Sequence, residues 1–178
     1  IAPFFPINRR TYAADSAPPL LIYDAELELA SAAGVRRVAY RDFHVDYKRS
    51  VLRTAEIIQS IRLPRGWLDW RHTFYKVGGR RAQAITKVSF AGAARLAQRK
   101  IADVRLAFGS VAPYPLRALA MEEGLRGAAL DALPELHGEE MFHFKGDWEP
   151  GRANIDAAVA VYDAALDALS TFRVEVLT

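Results

Sequence analysis

The chain has 178 residues, with 24 Lys and Arg against 21 Asp and Glu, so its formal net charge is +3. This length fits one domain or slightly more. Hydrophobic residues make up 51% and charged residues 25%, a composition that is typical of globular proteins and excludes a disordered chain. No apolar run approaches the roughly 20 residues of a membrane helix. The lack of cysteine excludes disulfides and iron–sulfur ligation by this chain, and it favours a cytoplasmic location.

The charges are distributed unevenly along the chain. Eight basic residues and one acidic residue lie between Lys76 and Arg105, whereas nine acidic and two basic residues lie between Asp131 and Asp167. This asymmetry fits internal pairing of a basic sheet with an acidic helical tail. It also fits a docking surface or an anion site, and both interpretations stay open at this point.

The N-terminal third has the pattern of short strands. Apolar residues alternate with polar ones over 21–29, which predicts a half-buried strand. Small residues at 31–34 and a second strand-like run at 35–40 predict a hairpin. Another strand is predicted from Ile57 to Leu63, followed by a loop over 65–72 that holds two tryptophans.

A second hairpin is predicted downstream, with Gln98–Lys100 as its turn. The apolar face of its first strand comprises Thr86, Val88, Phe90, Ala94 and Leu96, and that of its second strand comprises Ala102, Val104, Leu106 and Phe108. The opposite face carries Lys87, Arg95, Asp103 and Arg105. One apolar and one polar face predict an antiparallel sheet that is covered on one side only.

Helices are predicted after these strands. Pro115 suits the first turn of a helix to about Glu123, with Gly124 as its stop. Asn154 suits the N-cap of a long helix whose apolar positions are Ile155, Val159, Tyr162, Leu166 and Leu169. Strands followed by helices predict an α+β fold, an antiparallel sheet backed by helices on one face.

Common catalytic and nucleotide-binding motifs are absent from the sequence. Gly78-Gly79 lacks the spacing of a dinucleotide fingerprint, and there is no Gly-x-x-x-x-Gly-Lys loop. His137, Glu139, Glu140 and His143 do not have the spacing of a His-Glu-x-x-His metal helix, so we predict no metal site. Aromatic residues among the basic ones are better explained as sheet core than as nucleic-acid contacts.

Several segments resemble, in their order and spacing, the flavin subunit of molybdenum-containing hydroxylases, the xanthine dehydrogenase and carbon monoxide dehydrogenase group. The strongest match begins with Phe-Tyr-Lys-Val-Gly-Gly-Arg-Arg at 74–81, continues through 103–113 and ends near Gly127. Weaker matches lie upstream, at Asp15-Ser-Ala-Pro-Pro-Leu-Leu and at Glu56-Ile-Ile-Gln-Ser-Ile-Arg-Leu-Pro. The resemblance covers about two thirds of the chain.

The resemblance implies an oxidoreductase subunit that supports electron transfer from iron–sulfur centres through FAD to NAD or oxygen. The iron–sulfur clusters and the molybdenum cofactor would belong to partner subunits or domains. Residues 1–65 would be a remnant of the FAD-binding domain, containing the first hairpin, and 66–178 the C-terminal α+β domain. The alternative is a non-catalytic binding module whose basic sheet face docks an acidic protein or, less favoured, nucleic acid.

The resemblance also assigns three cofactor-binding residues and no catalytic residue. Asp15 matches an acidic residue near the ribityl and phosphate end of FAD, with an Asx-type turn before Pro18 as the competing interpretation. Ile58 matches an apolar residue that contacts the flavin; plain strand core is the alternative. Lys76 matches a lysine beside the flavin ring, where a cation would stabilise the reduced cofactor. Its alternative is a solvated strand-end lysine.

The sequence departs from the family pattern near its N-terminus. The Gly-rich pyrophosphate loop of the family lies upstream of the segment that this chain matches. In addition, the sequence of residues 6–12 differs from the Asn-Ile-Ala-Asn-type run that the family has at this place. The chain also begins at Ile1 rather than at methionine. The resemblance therefore implies the C-terminal part of a flavin subunit, with a cofactor site shared with an upstream FAD-binding domain.

Overall fold

The computed structural model describes residues 15–78, 86–130 and 159–164. Their elements are α1 (Ala17–Ile22), β1 (Glu26–Ser31), β2 (Gly34–Ala39), β3 (His44–Asp46), β4 (Arg49–Ser50), β5 (Ile57–Arg62), β6 (Arg71–Gly78), β7 (Thr86–Ala97), β8 (Lys100–Gly109), β9 (Leu116–Arg117) and α2 (Leu119–Leu125). The strands form an N-terminal sheet in the order β2-β1-β5, a small β3-β4 pair, and a C-terminal sheet in the order β6-β7-β8-β9. All their pairings are antiparallel, which confirms the predicted α+β class.

The first predicted hairpin is confirmed. β1 and β2 pair along their whole length, and Ser31 lies opposite Gly34 across a two-residue turn. Leu27 and Leu29 are fully buried, whereas Glu28 lies on the other face of the sheet and binds polar neighbours. The predicted β5 is also present, and it pairs with the free side of β1.

The prediction that a strand begins at Leu21 is wrong, because Leu21 and Ile22 belong to α1. Pro18 and Pro19 lie in the first turn of this helix, where proline costs no hydrogen bond. Leu20, Leu21 and Ile22 are all buried, although consecutive residues of a strand point to opposite faces. A helix that is enclosed by other elements buries such a run; a half-exposed strand does not.

The segment between β5 and β6 forms the predicted loop only as far as Trp70, since the next two residues begin β6. Its aromatic side chains pack on the residue that follows α1. The Tyr23 ring lies 5.4 Å from the Trp67 ring, and Trp67 lies 4.6 Å from Trp70, centroid to centroid. The Tyr23 hydroxyl and His72 Nδ1 are 3.2 Å apart. The connection between the two sheets is thus anchored on the end of α1.

The second predicted hairpin is confirmed, with one difference in its register. Its turn consists of Gln98 and Arg99, whose φ angles of +50° and +58° are those of a type I′ turn. The pairing shifts between β7 and β8 so that Ala102 is an extra, unpaired residue. Because a bulge changes the direction of the side chains, Ala102 is exposed and Ile101 is buried in its place.

The middle of the C-terminal sheet is covered on both faces, although the sequence predicted one exposed face. One face packs with α2 and the 159–164 helix in a core of Val88, Phe90, Val104, Phe108, Met121, Leu125 and Tyr162, among others. On the opposite face, α1 packs against β7 and β8, and Ala91, Ala93 and Ala107 belong to the same apolar cluster as α1 and β1. Gly109 permits this approach, since a Cβ there would lie 3.3 Å from Pro18 Cγ and 2.5 Å from Ser89 Oγ.

The helix predicted from Pro115 begins later. Arg117 pairs with β8 as part of β9, so the chain is held in the sheet until α2 starts at Leu119. Gly124, predicted to stop the helix, lies inside it. The turn after the helix instead uses Gly127, whose φ of +80° is in the region that favours glycine.

Part of the predicted C-terminal helix falls within the described residues. Residues 159–164 are helical, and Tyr162 is buried in the core as its position in the apolar stripe predicts. Val159, another position of this stripe, is partly buried. The remaining predicted positions lie outside the described residues: Asn154, Ile155, Leu166 and Leu169.

Candidate functional site

Two of the three residues predicted to bind the cofactor form an ion pair. Lys76 Nζ, on the edge strand β6, lies 2.7 Å from Asp15 Oδ2, just before α1. Sixty-one positions separate these two residues in the sequence. Ile58 lies on the other sheet, in β5, so the structure brings together Asp15 and Lys76 and places the third residue elsewhere.

Thr86, the first residue of β7, completes this group. Its hydroxyl donates a short hydrogen bond to Asp15 Oδ1, while Lys76 donates to Oδ2. Both oxygens of the carboxylate are therefore engaged by side chains from the C-terminal sheet. We call Asp15, Lys76 and Thr86 the Asp15 cluster; sequence reasoning placed Thr86 in the core and missed its role here.

The Asp15 cluster lies at the protein surface, and its Thr86 is buried beneath the other two residues. The side chains of Asp15 and Lys76 are 45% and 32% exposed, whereas Thr86 is only 7% exposed. Partial burial raises the pKa of the Asp15 carboxyl. The hydrogen bonds from Lys76 and Thr86 and the charge of Lys76 lower this pKa, and together they outweigh the effect of burial. The net pKa is below the usual value, so Asp15 is a carboxylate at neutral pH.

The pairing of β6 with β7 determines the face on which the cluster lies. Lys76 is directly opposite Ser89, so their side chains project from the same face of the C-terminal sheet. Ala91 and Ala93 continue that face, and they pack in the core that contains α1. The sheet thus directs the Lys76 side chain toward the start of α1, where Asp15 lies.

A bulge between β6 and β7 determines the position of Thr86. Val77 pairs with Val88 and Gly78 pairs with Thr86, which leaves Lys87 as an extra residue. The sequence predicted that Thr86 shares the core face with Val88. That prediction is wrong, because Thr86 bonds to Asp15 on the α1 side. Bulges are known to redirect side chains next to functional sites.

Ile58 has the surroundings of a core residue. It pairs with Leu29 across β1 and β5, and it packs, partly buried, against the apolar cluster that surrounds α1. These contacts agree with the alternative that the sequence left open, plain strand core. A flavin contact for Ile58 stays a prediction.

A second charged group follows α1 at the opposite end of this short helix. Asp24 lies 3.1 Å from an Arg105 guanidinium nitrogen and 3.3 Å from one of Arg117. Arg117 also binds Glu122 through two hydrogen bonds. We call these four residues the Asp24 network; no local pattern predicted it, because Glu122 lies in an ordinary helical segment.

Three basic residues of the C-terminal sheet have partners within the chain. Lys76 pairs with Asp15 and Arg105 with Asp24, while the Arg95 guanidinium lies 5.7 Å from the centre of the Trp70 ring. These partners lie in the N-terminal half of the chain, so they differ from the predicted pairing with the acidic tail, most of which lies outside the described residues.

The described residues contain no group of three or more potential metal ligands. The candidates His137, Glu139, Glu140 and His143 lie outside these residues. None of the helices in the described ranges is long and apolar enough to cross a membrane.

Two family models match the chain in sequence. The model described as the FAD binding domain in molybdopterin dehydrogenase matches residues 7–66. The model described as the CO dehydrogenase flavoprotein C-terminal domain matches residues 73–168, more than half of the chain. The chain belongs to the CO dehydrogenase flavoprotein C-terminal domain family. This confirms the predicted family relationship.

Curated relatives resemble the chain over about two thirds of its length. The chain is 36% identical over 121 residues to the xanthine dehydrogenase FAD-binding subunit of Escherichia coli O157:H7, covering 66% of this chain and 41% of the relative. It is 33% identical over 125 residues to the glyceraldehyde dehydrogenase medium chain of Sulfolobus acidocaldarius, covering 70% of this chain and 44% of that relative. The chain thus spans less than half the length of these relatives.

Solved structures share the fold. A Cu,Mo-CO dehydrogenase in its cyanide-inactivated form matches with a TM-score of 0.75 and 21% identity, covering 89% of this chain and 57% of the other. Quinoline 2-oxidoreductase from Pseudomonas putida 86 matches with a TM-score of 0.73 and 19% identity. This match covers 91% of our chain and 57% of the oxidoreductase chain. At these identities the matches establish the fold alone.

Proposed function

We propose that this chain is the C-terminal part of the FAD subunit of a molybdenum hydroxylase. In this proposal it helps to hold an FAD that transfers electrons from iron–sulfur centres to NAD or oxygen. The observation that carries the proposal is the pairing of Asp15 with Lys76, two residues that the family resemblance had independently assigned to the cofactor. The family matches over residues 7–66 and 73–168 support the same function.

The chemistry of the Asp15 cluster fits part of an FAD molecule. The Asp15 carboxylate can accept hydrogen bonds from ribityl hydroxyls, and the Lys76 ammonium can stabilise negative charge on the cofactor. Both groups are partly exposed on one surface, which a ligand can reach. FAD, when bound, supplies the electron-transfer chemistry; the residues of this chain supply orientation and electrostatics.

The other parts of the machinery belong elsewhere in this proposal. The iron–sulfur clusters and the molybdenum cofactor are held by partner subunits or domains, in accordance with the lack of cysteine here. An upstream FAD-binding domain completes the cofactor site. We further propose that 1–65 are the end of that domain and 66–178 a separate C-terminal domain, and that the complex is cytoplasmic.

The proposal can be tested on the complex purified from its native host through an affinity tag on this chain. We expect a yellow preparation with the visible absorption of bound flavin, and with stoichiometric FAD, iron and molybdenum. Asp15→Asn and Lys76→Met should lower the FAD content of the complex, whereas Lys87→Met, a change of the exposed lysine in the β7 bulge, should not.

A colourless preparation without FAD, iron or molybdenum would refute the proposed function. Retardation of nucleic acid by such a colourless protein, with a steep dependence on salt, would instead support the binding-module alternative.

A further inference from the structure

Thr86 is held in a position that ordinary strand geometry would not provide. Regular alternation would direct it toward the same core as Val88, but the extra residue Lys87 turns it toward Asp15. Its side chain is 7% exposed, and its hydroxyl donates to the Asp15 carboxylate from below the surface. A bulge disrupts the ladder locally, and this one places a hydroxyl group on the carboxylate that binds Lys76.

We propose that Thr86 is a positioning residue of the flavin site: its hydroxyl fixes the orientation of the Asp15 carboxylate, which in turn holds Lys76. This inference rests on the proposed function, and it adds a residue that the family resemblance did not assign. Thr86 itself is nearly inaccessible, so it acts through Asp15 and does not need to touch the cofactor.

Two side chains of the C-terminal sheet donate to the Asp15 carboxylate, and they differ in how firmly they can fix its orientation. Lys76 is a long side chain with many rotamers, so it alone does not define one orientation of the carboxylate. A buried hydroxyl on a short β-branched side chain does, because its position is set by the sheet.

Thr86→Val and Thr86→Ser form the decisive pair of variants. Valine keeps the branched shape and removes the hydroxyl, whereas serine keeps the hydroxyl. For the deflavinated complex rebinding FAD, we expect Thr86→Val to raise the Kd by up to about tenfold, because the Asp15 carboxylate is no longer held in one orientation and has to be ordered when FAD binds. Thr86→Ser should restore most of the affinity. Thr86→Ala is a second hydroxyl-free variant in case valine prevents assembly.

A measurement without FAD tests the positioning directly. In the isotopically labelled chain, an NMR titration of the Asp15 side-chain carboxyl should give a higher pKa in Thr86→Val than in the wild type, since one stabilising donor is lost. Thr86→Ser should return the pKa toward the wild-type value. If Thr86 acted only through packing, without its hydrogen bond to Asp15, the titration of Thr86→Val would match that of the wild type.

Ser89→Ala is the matched control in the same strand. Ser89 is fully buried, and its hydroxyl has no hydrogen-bond partner among the described residues, so its removal should leave the Kd for FAD unchanged. The inference would be overturned if Thr86→Val bound FAD like the wild type while Asp15→Asn bound it weakly. If Asp15→Asn and Lys76→Met also bound FAD like the wild type, the assignment of the flavin site to this cluster would fail as well.

Discussion

The two ends of α1 carry two groups of charged residues that differ in their burial. Before the helix, the Asp15 cluster is open to solvent, and its Asp15 and Lys76 side chains are 45% and 32% exposed. After the helix, the Asp24 network extends into the protein, where Arg117 is 10% and Glu122 1% exposed. The two groups of charged residues therefore differ in how much solvent they contact, one at each end of α1.

Burial determines what each group can do. The Glu122 carboxylate is satisfied on several sides, since it accepts hydrogen bonds from Arg117 and from the backbone N–H of Leu106 at 2.8 Å. Such a group is costly to disturb, because a buried charge without its partner is strongly unfavourable. An exposed pair contributes little to stability, so the Lys76 ammonium can also interact with a ligand at low cost while Asp15 stays bound to Thr86. We infer that one end of α1 fixes the fold and the other is available for function.

The largest effect is expected at the buried end. Arg117→Leu removes the main partner of Glu122 and leaves Arg126, at 3.8 Å, as the remaining cation, so the free energy of unfolding should fall by about 3 kcal/mol, the lower end of the usual loss for a broken buried pair. Urea unfolding monitored by tryptophan fluorescence would measure the loss. Arg65→Leu, in an exposed loop position, serves as control. Equal stability of the two variants would show that the Asp24 network does not fix the fold.

A smaller effect, of a different kind, is expected at the exposed end. Lys76→Met keeps the aliphatic stem and removes the charge, so the reduced state of bound FAD should lose stabilisation on the order of 1–3 kcal/mol and the midpoint potential should fall. Folding stability should change by about 0.5 kcal/mol or less. A redox titration of the complex, with Lys87→Met as control, would test this. An unchanged potential at full FAD occupancy would make Lys76 an ordinary surface residue.

The smallest expected effect is the pH dependence of the contribution that Asp15 makes to folding stability. The pKa of Asp15 is lowered in the folded chain, so its contribution to stability is complete above its unfolded pKa of about 3.9 and disappears as the pH falls through the folded pKa. The stability difference between the wild type and Asp15→Asn, below about 1 kcal/mol at pH 7, should therefore shrink in acid. Unfolding curves between pH 7 and 3 would measure it. A difference independent of pH would contradict an ionic role for Asp15.

Local patterns in the sequence were sufficient to predict the hairpins and the class of fold. The alternation at Leu27 and Leu29 and at Val104, Leu106 and Phe108 predicted which residues are buried. These predictions succeeded because strand periodicity and turn preference depend on neighbours close in the chain. The resemblance to a family added Asp15 and Lys76, which no periodicity distinguishes from surface residues.

The tertiary structure alone determined how these elements meet. The bulges at Lys87 and Ala102 reverse side-chain directions, and they depend on the register between two strands rather than on either strand by itself. The cover on the second face of the sheet comes from α1, whose buried run of Leu20 to Ile22 has no strand periodicity. The contacts of Asp15 with Lys76 and Thr86 join residues 61 and 71 positions apart, and only the packing of α1 on the sheet brings them together.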